Sequence, residues 1–111
     1  MRNEYGVTLD KNGYAPSVVD YYGTTIERCF LCDWTQDLVR HEVFGASNRK
    51  KSKAYGLWVY LCPRCHMNLH DNPDDGRWLK KVAQRQAMAW YKWDIDDWRE
   101  RFGKNYLDEL L

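Results

Sequence analysis

The sequence predicts a small α+β domain, with two strands and a short helix in its middle and two further helices at its end. Three observations carry that expectation. Two Cys-x-x-Cys pairs, Cys29/Cys32 and Cys62/Cys65, bracket the middle, with 29 residues between Cys32 and Cys62. Around the second pair the residues read strand, loop, strand, helix. From Arg77 onward, apolar residues return at helical spacing.

The chain has 111 residues, enough for one small core. Its formal charge is +1, so any affinity for nucleic acid must come from local clustering of cations. Six Trp, eight Tyr and three Phe bring aromatic residues to 15%, which argues for a core of large rings and against disorder. No basic segment followed by an apolar run opens the chain, and no stretch approaches the ~20 apolar residues of a membrane span. The expected compartment is therefore reducing cytoplasm, where four cysteines are metal ligands more readily than disulfides.

Residues 1–25 read as an N-terminal arm or hairpin, with an Asn12-Gly13 turn signal and an irregular return through Tyr14-Ala15-Pro16. Val18-Val19 and Tyr21-Tyr22 either pack on the core or only lead into it. Glu27 to Cys32 is the first knuckle, followed by a turn over Asp33–Asp37. Leu38 to Phe44 is a first strand, Gly45 to Lys53 a polar basic loop, and Leu57 to Leu61 a second strand of β-formers. Pro63 suits the first turn of a short helix through Cys65, His66, Leu69 and His70.

Asp71-Asn-Pro-Asp-Asp-Gly76 reads as a breaker. Beyond it, Leu79, Val82, Ala83, Trp90 and Trp93 form an apolar stripe interrupted at Gln86. Asp94 is an N-cap for a last helix, Ile95 to Phe102, stopped by Gly103. Residues 26–72 thus form the central module, and 73–111 a helical extension of the same domain with an acidic, solvated end.

The chemistry is concentrated between Cys29 and His70, which hold every cysteine and histidine of the chain. Two knuckles of two thiolates each satisfy a tetrahedral zinc, so Cys29, Cys32, Cys62 and Cys65 are the expected ligands of a structural Zn²⁺. The three histidines remain for a second, open site. His66 and His70, four residues apart, share one helical face. The alternative for His66 is a hydrogen bond to a neighbouring thiolate.

Cys-x-x-Cys, a strand carrying Arg40-His-Glu-Val-Phe-Gly, and Leu61-Cys-Pro-Arg-Cys-His together resemble the HNH endonuclease family. Tyr55-Gly-Leu-Trp-Val-Tyr and Phe102-Gly-Lys-Asn-Tyr-Leu are similar to small HNH-type proteins of phages and prophages. The resemblance implies a zinc-stapled ββα-metal finger with the C-terminal helices packed on it. It further implies a metal-dependent endonuclease acting on DNA phosphodiesters in the host cytoplasm, with no membrane and with a host or phage protein as a further partner.

Carried over by position, the family's strand dipeptide, a metal ligand followed by a base, falls on His41 and Glu42. A shift by one would put Arg40, which cannot ligate a metal, at the ligand place and His41 at the base. The helix ligand falls on His66, with His70 completing the set for Mg²⁺, Mn²⁺, Ni²⁺ or Zn²⁺. This chain departs from the family in holding Glu where the base is usually His. It also holds Leu57 where the middle Asn stands, leaving Asn48 as a substitute that steadies the loop. Glu42 is ionised at neutral pH and can accept a proton, though less readily than imidazole. Its other expectation is a pairing with Arg40 or a loop lysine. Arg49, Lys50, Lys51 and Lys53 are either a solvated loop or a contact for the DNA backbone. The second function consistent with these departures is a degenerate zinc module that binds nucleic acid or a host protein.

Overall fold

In the computed structural model, which describes residues 1–21 and 26–107, a two-stranded antiparallel sheet holds the centre. Strand β1 (Val39–Glu42) pairs with β2 (Trp58–Leu61), with Arg40 opposite Tyr60 and His41 opposite Val59. Successive side chains alternate between faces, so His41 shares a face with Val59 and Leu61, whereas Arg40 shares the other with Tyr60. Tyr22, named above for the arm, and residues 108–111 of the expected acidic end lie outside the described residues.

Four α-helices complete the described chain: α1 (Arg49–Ala54), α2 (Pro63–Asp71), α3 (Pro73–Tyr91) and α4 (Ile95–Phe102). The chain is a small α+β domain. Both strands are shorter than expected, and the order strand, strand, helix around the second cysteine pair is as expected.

The basic loop expected over Gly45–Lys53 is instead a 3-10 turn, Ala46–Asn48, followed by α1. Arg and Lys are good helix formers, and a buried Ser52 locks the helix in place. Its hydroxyl donates to the Leu57 carbonyl at 2.5 Å and accepts from the Phe44 N–H at 3.2 Å, tying α1 to the ends of both strands.

The breaker expected at Asp71–Gly76 narrows to Asn72 alone, whose extended backbone separates α2 from α3. Pro73 fits the first helical position because its missing N–H would have no partner there, and Asp74 and Asp75 complement the helix dipole. The buried stripe of α3 is Leu79, Ala83 and Ala87, with Tyr91 next in register. Trp90, expected on that stripe, is 53% exposed and stands against Tyr21. The polar residue within the stripe is Gln84, whose amide donates to Asn105 and accepts from the Tyr106 N–H, both at 2.7 Å.

Helix α4 begins and ends where expected. Asp94 accepts from the Asp97 N–H at 2.8 Å and Asp97 accepts in return at 3.0 Å, a reciprocal cap, and Gly103 follows the last turn. Trp98 and Phe102 stack at 4.3 Å, and Phe44 meets Trp98 edge-on at 5.2 Å, so α4 is sealed against the turn after β1.

Residues 1–21 contain one isolated bridge, Arg2 to Thr8, rather than a hairpin. Ala15 and Ser17–Asp20 are buried, because this segment straps the outer face of the sheet. Ser17 donates to the Trp58 carbonyl at 2.6 Å and Trp58 Nε1 donates to the Ala15 carbonyl at 2.7 Å. Arg40 lies over the rings of Tyr14 and Trp58 and pairs with Asp10 at 2.6 Å. That placement commits the Arg40 guanidinium to Asp10 and these rings, while the residue still lines the histidine cleft.

Candidate metal centre

The first knuckle is a tight turn in which the Cys29 N–H donates to the Trp34 carbonyl at 2.6 Å and the Asp33 N–H donates to the Cys29 carbonyl at 2.9 Å. Phe30 donates to the Tyr60 carbonyl at 2.8 Å, fastening this turn beside β2. The second knuckle needs no separate loop: Cys62 directly follows β2 and caps α2, its sulfur accepting from the Cys65 N–H at 3.4 Å.

All four sulfurs lie within 4.8 Å of one another. Cys32 and Cys62 Sγ are 3.7 Å apart, and every cysteine is a free thiol. A disulfide requires about 2.05 Å. Four sulfurs at about 2.3 Å from a common centre have tetrahedral edges of about 3.8 Å, which the Cys32–Cys62 separation of 3.7 Å matches. The donor set therefore fits a structural metal ion.

The Cys65 N–H brings the Cys62 thiol down to about 7, so this sulfur is readily a thiolate. Burial and the neighbouring thiols push Cys65 in the opposite direction. A cation among them offsets that mutual penalty.

The three histidines converge beside this cluster. His41 projects from β1, and His66 and His70 from the same face of α2. Ring centroids lie 5.3 Å apart for His41 and His66, 6.3 Å for His41 and His70, and 4.8 Å for His66 and His70. The Nε2 atoms of His66 and His70 approach to 3.3 Å. Burial, reinforced by the two neighbouring imidazoles, lowers His41 to about 4. Burial and His70 lower His66 as well. Neutral nitrogens are what a metal ligand must offer.

These rings open onto a cleft of about 600 Å³ that also includes Glu42, Arg49 and Lys80. Glu42 Oε1 accepts from Arg49 Nε at 2.8 Å, with the Glu42 side chain 10% exposed. Burial raises the proton affinity of Glu42, but the hydrogen bond and charge of Arg49, its own backbone N–H and the Tyr14 hydroxyl together outweigh it and hold the carboxyl below its ordinary range. The partner of Glu42 is thus neither Arg40 nor a lysine.

The remaining expected site residues disperse. Asn48 donates to the Phe102 carbonyl at 3.0 Å, tying the 3-10 turn to the end of α4. Lys51 is committed to the Arg101 carbonyl at 2.6 Å, away from the cleft. Lys53 donates to the Asn12 carbonyl at 3.3 Å and lies over the Tyr14 ring. Lys50 is exposed. Lys80 was not anticipated in the site, because only the crossing of α3 over α2 brings it to the cleft wall. Compared with protein-family models, curated proteins and solved structures, the chain gives no match.

Proposed function

We propose that this chain is a metal-dependent HNH-type endonuclease that hydrolyses DNA phosphodiester bonds, built on a zinc-stapled ββα-metal finger formed by β1, β2 and α2. The observation that carries the reading is the meeting of His41 with His66 and His70 in one open cleft beside a four-cysteine cluster. Zinc is the natural occupant of four thiolates, and it supplies folding energy to a module with a two-stranded sheet.

In the cleft, His41, His66 and His70 would hold a divalent ion through neutral nitrogens, leaving positions for substrate. When bound, that ion supplies positive charge to the scissile phosphate and the leaving oxygen. Glu42 is the base in this scheme: its carboxylate accepts the proton of the attacking water. Arg49 holds that carboxylate ionised and, being 66% exposed, can reach a phosphate at the cleft mouth. The resemblance to phage proteins makes the host cytoplasm the expected compartment, and no helix among the described residues is long and apolar enough to cross a membrane.

A plasmid-nicking assay with Mg²⁺, Mn²⁺ or Ni²⁺ tests the proposal. Cleavage by the wild type that is lost in His66→Ala supports it, and no cleavage with any of these ions overturns it.

One observation favours a second reading. The Glu42 carboxylate is already engaged by Arg49, so a degenerate module that binds nucleic acid or a protein partner without cutting fits the same geometry. Gain of nicking in Glu42→His, from a silent wild type, would select this reading.

A further inference from the structure

A second groove, of about 750 Å³, runs between the turn at Asp10–Gly13 and helix α1. Lys11, Arg49, Lys50 and Lys53 line it. Its acidic wall residue, Asp10, is occupied by Arg40 at 2.6 Å and by the N–H groups of Asn12 and Tyr14 at 2.9 and 3.0 Å. Ala46 and Arg49 belong to this groove and to the histidine cleft alike, so the two are continuous. Lys80 stands on the cleft.

We propose that this continuous channel is the track of one DNA phosphodiester backbone, entering along Lys11 and Lys50, passing Arg49, and leaving past Lys80. The inference rests on the nuclease reading and adds to it the path of the substrate and two contacts, Lys11 and Lys80, outside the basic run of α1. On a molecule of formal charge +1, a run of lysines and arginine along one groove is a local concentration of charge that matches a polyanion. Lys51, although within the same basic run, is excluded because its ammonium is bound to the Arg101 carbonyl on another side. Lys53 contributes charge while also securing the turn through Asn12.

The test is fluorescence anisotropy of a short labelled DNA duplex, titrated across salt concentrations with the zinc-loaded full chain and no other divalent ion. Lys11→Glu/Lys50→Glu is compared with Lys92→Glu, a reversal at the far end of α3, and circular dichroism melts confirm that both fold. The expected result is an affinity at least about tenfold weaker for the double variant, a salt slope shallower by about two, and little change in the control. Wild-type binding that is equally tight and equally salt-dependent in the double variant overturns the track and leaves the nuclease reading standing. A wild type that binds no duplex at low salt, and nicks no plasmid, overturns both.

Discussion

Arg49 reaches from the first turn of α1 to place Nε 2.8 Å from Glu42 Oε1, joining the helix after β1 to the last residue of that strand. The pair stands at the mouth of the histidine cleft, where the proposed scheme gives the carboxylate a proton to accept and the guanidinium a phosphate to bind. Glu42→Gln keeps the shape of the side chain and removes the base. Nicking should fall by about a hundredfold or more while the metal content stays unchanged. Undiminished nicking in this variant would remove Glu42 from the chemistry.

The cysteine cluster makes a separate prediction. Cys32 is the exposed member of the four, so Cys32→Ser opens no cavity in the core. The variant should nonetheless melt like chelator-treated wild type, and chelator should no longer shift its melt, because the loss acts through the bound ion. A melt equal to that of the zinc-loaded wild type would contradict the assignment.

Gly56 tests the strap. Its φ is +74°, and a Cβ there would stand 2.2 Å from the Pro16 carbonyl oxygen, a backbone atom that cannot rotate away. The Gly56 carbonyl also accepts from the Val18 N–H at 2.9 Å. Gly56→Ala should cost about 2–4 kcal/mol in urea denaturation, combining left-handed strain with overpacking. An unchanged midpoint would mean that residues 15–20 do not close over the sheet as described.

A third ion pair, far from the metal centre, sets a pH dependence. Glu4 accepts from Arg101 Nε at 2.8 Å and Nη2 at 3.1 Å, and also from the Tyr55 hydroxyl. These bonds, Arg101 first, hold the Glu4 carboxyl below its ordinary 4.5 despite some burial. A depressed carboxylate stabilises the fold above its unfolded-state value, and that contribution disappears as pH falls through the lower folded-state value. Glu4 is 42% exposed, so solvent screening limits the effect to about 0.5–1 kcal/mol. Glu4→Gln should therefore be less stable than wild type at neutral pH, with the difference closing below pH 4.5 in acid melts. A difference that stays constant down to acid would show that the carboxylate's charge is not what stabilises.

How much of this was legible in the sequence depends on how local the cause is. Helix α4 was readable to the residue because its cap, Asp94, and its stop, Gly103, act within one turn. The cysteine cluster followed from spacing, and the shared face of His66 and His70 from helical period. Helix α1 was not legible, since Ser52 is locked by bonds to Phe44 and Leu57, neither of which has a local signature. Trp90 was misplaced because Trp90 and Tyr91 are adjacent and only the packing against the core selects Tyr91. The sequence leaves open whether Val18 and Val19 pack on the core, because the reason for their burial lies on Trp58 and Gly56, some forty residues away. The pairing of Glu42 with Arg49 likewise depends on α1 existing.

The central claim is that imidazoles from β1 and α2 hold a metal of their own, beside the thiolate-bound one. Native mass spectrometry of the zinc-loaded protein titrated with Ni²⁺ measures this directly. The account predicts two metal ions per chain for the wild type and one for His66→Ala/His70→Ala. A wild type that saturates at one ion, with the double variant the same, would contradict it.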